Sequence, residues 1–321
     1  MLQDCLAALQ AQTAKPCRVL VMDNGSGDGS IADARDKHAW AEYHLLNDNV
    51  GFARANNLGI DLAADCEWVA LLNPDAFPER DWIEMFLRRA REFPDVDVFA
   101  SRMLVAQDPR LVDGAGDAYR VDGLAWPRFQ GRPVGELSSL PEEVFAPCAG
   151  AAFYRRRAVL AAGGFCERFF CYYEDVDLGF RLRLYGSRCV ALPDAVVHHM
   201  GSAITGGKGS TFSVYHAHRN FVWTFVRNMP GKYFWLYFPA HVGANLASVL
   251  LFIRKGMGRE ILRAKWDALM GLRLTWQERQ SIQARRNTTA EAVVGAMQRG
   301  TLVSSVFRAI TATLRKTFDS G

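Results

Sequence analysis

Through the first two-thirds of the chain, short runs rich in β-branched and aromatic residues alternate with stretches whose apolar residues recur every three or four positions. CRVLVMD (17–23), AEYHLL (41–46) and EWVALLN (67–73) fit strands, while DCLAALQAQ (4–12), GFARANNLGIDLA (51–63) and RDWIEMFLRRAREF (80–93) fit helices. This alternation predicts an α/β domain with a mostly parallel sheet and helices on both faces. Ligands of such sheets sit at the carboxyl ends of the strands. Past residue 204 the pattern changes to long apolar stretches with scattered cations, so a helical region at 205–321 is expected to follow a domain at 1–204.

Three strand ends carry polar clusters: DNGSGDGS after VLVM, NDNVGFARANN after YHLL, and NPD after WVALL. Taken alone, the first reads as a turn in which Asp28 or Ser30 caps a helix. It has neither the Lys-Ser/Thr of a Walker loop nor the glycine spacing of a dinucleotide fingerprint, which disfavours hydride transfer. A strand-end Asp can accept hydrogen bonds from a base or ribose, and Gly25, Gly27 and Gly29 let backbone approach a ligand. The NPD aspartate fits either a solvated turn or a carboxylate delivered to a metal.

Further on, FFCYYEDVDLGFRLRLYG (169–186) sets Glu174, Asp175 and Asp177 at the start of a helix. Asp177 and Arg181 form an i,i+4 pair worth about 0.2–0.5 kcal/mol on a helix surface. Glu174 and Asp175 follow an aromatic run that would raise a carboxyl pKa toward that of a general base, so one of them is a candidate base. In LPDAVVHHMGSA (192–203), His198 and His199 are adjacent on a strand, so only one faces the site. An imidazole with carboxylates and phosphate oxygens suits Mg²⁺ or Mn²⁺.

The net charge of +4 hides a division: residues 205–321 hold 17 Lys+Arg against 5 Asp+Glu, and residues 1–204 hold 21 against 29. An acidic domain with a basic, apolar tail points to an anionic surface, here a membrane. No helix-turn-helix, zinc or RNP pattern supports nucleic acid. Seven cysteines without a C-x-x-C pair, and no secretory signal, predict reduced thiols in the cytoplasm. YFWLYFPAHVGANLASVLLFI (233–253) has 21 residues without a charge between Lys232 and Arg254. Its length suits a bilayer, but Pro239, His241 and Asn245 also suit an interfacial or re-entrant segment, or a buried helix. The protein is thus expected to be peripheral on, or partly inserted in, the inner face of the plasma membrane.

VLVMDNGSGDGS, NDNVGFARANN, LLNPDAFPERDW, GAAFYRRRAVLAAGGF, CYYEDVDLGFRLRLYG, HMGSA and YHAHRNFVWTFVRNMPG follow the order found in glycosyltransferase family 2. From about residue 2 to about residue 232 the chain resembles the rhamnosyltransferase-type members. The resemblance implies a GT-A fold and inverting, metal-dependent transfer of a hexose from a nucleotide-diphosphate donor to a lipid-linked or nascent surface glycan, with rhamnose favoured. It implies that Asp23 holds the base and that Asn49, Gly51, Arg54, Asn57 and Asn73 line the nucleotide. Asp75 and His199 would hold Mg²⁺ or Mn²⁺, and Asp175, beside Glu174, would be the general base. Cys166 stands where the family usually has Asp. The family's opening strand is missing before the helix in which Met1 falls, so the alternative is an impaired sugar-nucleotide-binding or assembly protein.

Overall fold

The computed structural model of the chain describes residues 1–201 and 210–300. Ser202 and Ala203 of the HMGSA motif, the expected boundary at 204, and the basic residues past 300 lie outside the described residues. The six elements expected from the pattern are present. They are helix α1 (Leu2–Gln10), strand β1 (Leu20–Asp23), strand β2 (Glu42–Leu45), helix α3 (Phe52–Leu62), strand β3 (Trp68–Leu72) and helix α4 (Trp82–Glu92), with α2 (Ser30–Lys37) between β1 and β2 and the short β4 (Ala76–Pro78) after NPD. The N-cap of α2 is Gly29, at φ +76° and without a side-chain cap, where Asp28 or Ser30 was expected; Asp28 instead accepts the Ser30 amide at 3.0 Å from just before the cap.

Next come β5 (Val98–Val105), β6 (Asp108–Ala115), β7 (Asp117–Tyr119), β8 (Ala125–Pro127), β9 (Glu142–Glu143), β10 (Ala151–Arg155), α5 (Arg156–Ala161), α6 (Glu174–Leu184) and β11 (Cys189–His199). The main sheet has the order β3-β10-β5-β11-β4, with β6 on β5 and β9 on β11. It is mixed where a mostly parallel sheet was expected. Strand β10 runs antiparallel between β3 and β5, and only β5 and β11 pair in parallel within this sheet among the described residues. Strands β1 and β2 form their own parallel pair, from Leu20 opposite Glu42 to Asp23 opposite Leu45.

Period-2 alternation puts helices on both faces of the sheet. Val98 and Ala100 of β5 and Ala152 and Tyr154 of β10 pack with α3, α5 and α6. The intervening Phe99, Ala151 and Phe153 pack with Trp82, Ile83 and Phe86 of α4 on the other face. The Phe86 and Phe153 rings stack at 3.9 Å. A register shift in β11 between Ala191 and Val196, spanning Pro193, lets this strand continue to His199 beside Val105 of β5 and Ala76 of β4.

Helices α7 (Thr211–Asn228), α8 (Gly231–Arg254), α9 (Gly258–Met270), α10 (Leu272–Ala284) and α11 (Ala290–Gly295) complete the described chain. They share a core with the α/β part: Val176, Phe180 and Leu184 of α6 pack with Phe225, Val226, Met229, Phe234 and Ile282. Inside this contact Asp177 is fully buried. Arg181 Nη2 approaches it at 2.8 Å, Arg227 Nη1 at 3.3 Å, and Asn228 Nδ2 donates to it at 2.7 Å. The Asp177–Arg181 pair is therefore an interior ion cluster, not the surface helix pair its spacing predicts, because α7 covers this face of α6.

Burial pushes the Asp177 carboxyl up, but the guanidiniums of Arg227 and Arg181 outweigh it and hold the group below the ordinary carboxylate range. A depressed folded-state pKa stabilises the fold above the unfolded value of about 4 and loses that effect as pH falls through the folded one. Asp177→Asn is expected to lower the unfolding free energy by about 3–5 kcal/mol, since it leaves two buried guanidiniums uncompensated. Urea denaturation at neutral pH measures this, and the gap from the unmodified protein is expected to narrow on acidification.

Candidate functional site

Two of the three polar clusters, those after β1 and β2, meet at one end of these strands. Asp23, the buried last residue of β1, accepts the Ser26 amide at 3.0 Å, which turns the chain back over its own carboxylate. The next loop is tied to the one after β2. Asn24 Oδ1 accepts the Val50 amide at 2.8 Å, Asn24 Nδ2 donates to Asn49 Oδ1 at 3.0 Å, and Asn49 Oδ1 also accepts the Gly51 amide at 3.0 Å. The two loops touch so closely at Gly25 that a Cβ there would lie 2.8 Å from the Asp48 carbonyl carbon.

Gly51 has φ +86°, and a Cβ on it would meet the Phe170 ring at 2.6 Å, so both backbone and space require glycine. Arg54 is exposed, with Glu167 3.9 Å away. Asn57 faces elsewhere. Its amide donates to the Phe165 carbonyl at 2.9 Å and accepts the Phe165 amide at 2.8 Å, clamping α3 to the loop that carries Cys166. The side chains of Asn49 and Asn57, expected to line the nucleotide, are thus bonded within the protein, while Asp23, Gly51 and Arg54 lie along the loop edge.

The NPD turn is pinned from both sides. Asn73 donates its amide to Gly150 at 2.9 Å and accepts that of Ala76 at 3.0 Å, and Met200 donates its amide to the Asp75 carbonyl at 2.9 Å. The Asp75 side chain is buried, and Oδ1 has no hydrogen-bond partner among the described residues; its neighbour is His199 Nε2 at 3.5 Å. On the other side of the ring, His199 Nδ1 meets Asp113 Oδ2 at 2.7 Å. His198 points away to Glu79 at 3.0 Å, as the strand parity requires.

Burial lowers the His199 pKa, but the nearby carboxylates of Asp113, hydrogen-bonded to the ring, and Asp75 more than reverse this, to about 9. A ring set between buried Asp75 and half-buried Asp113 marks a place where a cation is favoured. Among the described residues no group of three or more His, Cys, Asp or Glu side chains could hold a metal ion. A divalent ion would therefore take Asp75 and His199 from the protein and its remaining ligands from phosphate oxygens or water, a donor set that fits Mg²⁺ or Mn²⁺.

Ala149 and Gly150, just before β10, link this turn to the acidic motif. Ala149 donates its amide to Asp175 Oδ2 at 3.2 Å, and Val176 donates to Oδ1 at 2.8 Å. Asp175 is half-buried, whereas Glu174 is buried with Oε2 unpartnered among the described residues. Burial raises both carboxyl groups; Asp175 raises Glu174 further, while the amides of Ala149 and Val176 restrain the rise at Asp175. The accessible and still ionisable member of the pair is Asp175.

The aromatic run before it is held in an unusual shape. Phe170, Tyr172 and Tyr173 have φ of +67°, +64° and +68°, each costing about 1–3 kcal/mol in a non-glycine residue. Buried Asn220 of α7 donates through Nδ2 to the carbonyls of Phe169, Cys171 and Tyr172 at 2.9, 2.9 and 2.7 Å. Arg219 Nη2 donates to Arg168 and Phe169 carbonyls at 3.1 and 2.9 Å, and His216 stacks on Phe170 at 5.2 Å. The Phe170 carbonyl then accepts the Ala53 amide at 3.1 Å at the start of α3. The order of motifs includes this HRN stretch but gives it no task; the available signal is a polar pair inside an apolar helix run. Asn220→Ala is expected to leave α6 and α7 folded while amide hydrogen exchange at Ala53 and through residues 169–173 speeds up at least about tenfold, as mass spectrometry of peptides would read.

A family model described as Glycosyl transferase family 2 matches residues 1–161. The chain is 31% identical over 251 residues to the N-acetylglucosaminyl-diphospho-decaprenol L-rhamnosyltransferase of Mycobacterium tuberculosis (strain CDC 1551 / Oshkosh), covering 67% of this chain and 77% of that protein. It is 29% identical over 254 residues to the pre-mycofactocin glycosyltransferase of the same strain, covering 75% of this chain and 49% of the relative. Among solved structures, the mannosyltransferase PcManGT from Pyrobaculum calidifontis, in complex with GDP-Man and Mn²⁺, superposes with a TM-score of 0.51 at 16% identity over 92% of this chain and 82% of that one. GalNAc-T7 with UDP, GalNAc and Mn²⁺ gives 0.55 at 13% identity over 70% of this chain, which spans 44% of that protein. These two likenesses show the GT-A fold.

Proposed function

The chain belongs to glycosyl transferase family 2, and from that premise we propose that it moves a sugar from a nucleotide-diphosphate donor to a lipid-linked glycan acceptor with inversion at the anomeric carbon. One observation carries this reading: the turn at Ala149 and Gly150 ties both the Asp75 loop and Asp175 to the start of β10, so a phosphate-side pair and a base share one rigid anchor. The favoured sugar is rhamnose and the favoured acceptor a polyprenyl-diphosphate-linked glycan, because the relative 31% identical is named for that transfer. Asp23 receives the base and Asn73 lies on the ribose side. Gly51 lets the loop close against Phe170, Asn49 holds that loop's shape, Asn57 clamps α3 to the loop that carries Cys166, and Arg54 presents a cation beside Gly51.

Asp75 and His199 would hold a divalent cation, which would supply neutralisation of the negative charge on the departing diphosphate. Asp175 takes the proton from the acceptor hydroxyl as its oxygen bonds to the anomeric carbon. The sugar–phosphate bond breaks on the opposite face, and its electron pair leaves with the diphosphate. Asp175→Asn is expected to cut kcat by about 10²- to 10⁴-fold, with donor affinity by calorimetry nearly unchanged, because the base touches the acceptor. Turnover should also fall with acidification through a pKa above the ordinary aspartate value, where the base becomes protonated. Near-normal kcat in the variant would remove Asp175 from the mechanism.

The acceptor is met at a membrane surface formed by the C-terminal helices. Helix α8 exposes Trp235, Leu236, Val242, Leu246 and Leu250, α9 exposes Leu262, Trp266 and Met270, and α10 exposes Leu274 and Trp276. Trp235 and Trp276 lie 6.5 Å apart, which joins the ends of this apolar face. The other side of α8 is fastened to the protein: His241 is buried on Asp122 at 2.8 Å, and Asn245 accepts Lys265 Nζ at 2.6 Å. A helix held this way lies along the interface instead of crossing it, with exposed Arg254, Lys255, Arg259 and Arg263 toward anionic headgroups. The double substitution Trp235→Glu and Trp266→Glu is expected to abolish flotation with anionic vesicles while leaving donor hydrolysis intact. Flotation equal to that of the unmodified chain would refute the membrane face.

A second reading, a sugar-nucleotide-binding protein without turnover, draws on the separation of β1 and β2 from the sheet that carries Asp75. Donor consumption in the presence of Mn²⁺ separates the two.

A further inference from the structure

We infer that Asp113, which no sequence motif singles out, is the positioning residue that fixes His199 for cation binding. The inference rests on the reading that Asp75 and His199 hold the cation. Strands β6 and β11 both pair with β5, which brings Asp113 and His199 together although they are 86 residues apart in sequence. Asp113 Oδ2 sits 2.7 Å from Nδ1 of His199, and Nε2 of the same ring faces the orphaned Oδ1 of Asp75 at 3.5 Å.

A carboxylate on one ring nitrogen draws the proton of the neutral imidazole to that nitrogen and leaves the other as a lone pair. With Nδ1 so occupied, Nε2 is the ligating atom, aimed at the carboxylate that would share the ion. Without Asp113 the ring is free to protonate Nε2 instead, a tautomer that cannot ligate. Asp113 is itself held in place. Gln130 Nε2 donates to its carbonyl and to its other carboxylate oxygen, each at 3.2 Å, so the ring is oriented by a side chain with little freedom of its own. Asp113 meets the ring nitrogen away from Asp75, so its effect is exerted through the imidazole.

The test uses the full chain and Mn²⁺ alone, with free Mn²⁺ followed by electron paramagnetic resonance. Asp113→Ala is expected to weaken Mn²⁺ binding by about 10- to 100-fold, the usual effect of losing an outer-shell partner. Asp113→Asn, whose amide oxygen still accepts from Nδ1–H but carries no charge, is expected to lose about 3- to 10-fold. Saturating Mn²⁺ should recover most of kcat in both, so the defect appears in the Mn²⁺ requirement, which a merely structural role would not move. Thermal melts confirm that the variants fold, and if Asp113→Ala does not, Asp113→Asn decides. Affinity within twofold of the unmodified protein in the variant that decides, while His199→Ala and Asp75→Asn lose binding, overturns the role of Asp113 and leaves the cation reading standing. Unchanged binding in His199→Ala and Asp75→Asn removes the cation reading, and this inference falls with it.

Discussion

The Asn220 side chain donates to three carbonyl oxygens of a loop in which three non-glycine residues have positive φ. That strained loop would relax without a rigid donor, and much of the catalytic face is built on it. Its Phe170 ring excludes any side chain from position 51, and its Phe170 carbonyl accepts the Ala53 amide at the start of α3. Its last residue, Tyr173, is the N-cap of α6 and so sets where Asp175 begins. The helices after residue 210 are therefore part of the site's scaffold, since Asn220 and Arg219 on α7 grip the loop from behind.

Three carboxylates within four residues of α6 meet three environments, and helix geometry explains why. Glu174 and Asp177 are one turn apart and face the protein, while Asp175 is rotated about 100° from Glu174 and stays half-exposed. Asp177 is ionised because two guanidiniums and an amide surround it. Glu174 has no such partners, so burial favours its neutral form. Between these extremes, Asp175 has two backbone amides that favour the carboxylate against a desolvation that opposes it. That balance suits a group that must accept a proton and release it again.

The same chain divides its apolar residues between two uses. Phe225, Phe234 and His241 close the core against α6, with the His241 and Phe225 rings stacked at 4.0 Å. The outward residues of α8 to α10 cover nothing within the described chain. On the proposed membrane reading, a helix fastened to the protein along one side would keep the acceptor's lipid and Asp175 on one body, which would limit how far a membrane-held acceptor must rise.

By itself the sequence determined the local elements: strands where apolar residues alternate or run together, helices where they recur at 3.6, and the strand parity that separates His198 from His199. It also determined the apolar, uncharged composition of the 233–253 segment. These follow from backbone geometry and side-chain periodicity, which act over a few residues. Tertiary structure alone decided that β10 enters antiparallel, that Asn49 and Asn57 bond within the protein, and that Asp177 belongs to an interior cluster. It also decided that Asp113 meets His199 and that Asn220 grips the loop before α6. Apart from Asn49, whose partner Asn24 is 25 residues away, these depend on partners some 50 to 110 residues away, such as Asn57 with Phe165 at a separation of 108, and those meetings are set by sheet register and helix packing over the whole core. No local pattern records them, because one residue of register moves every such side chain to the other face.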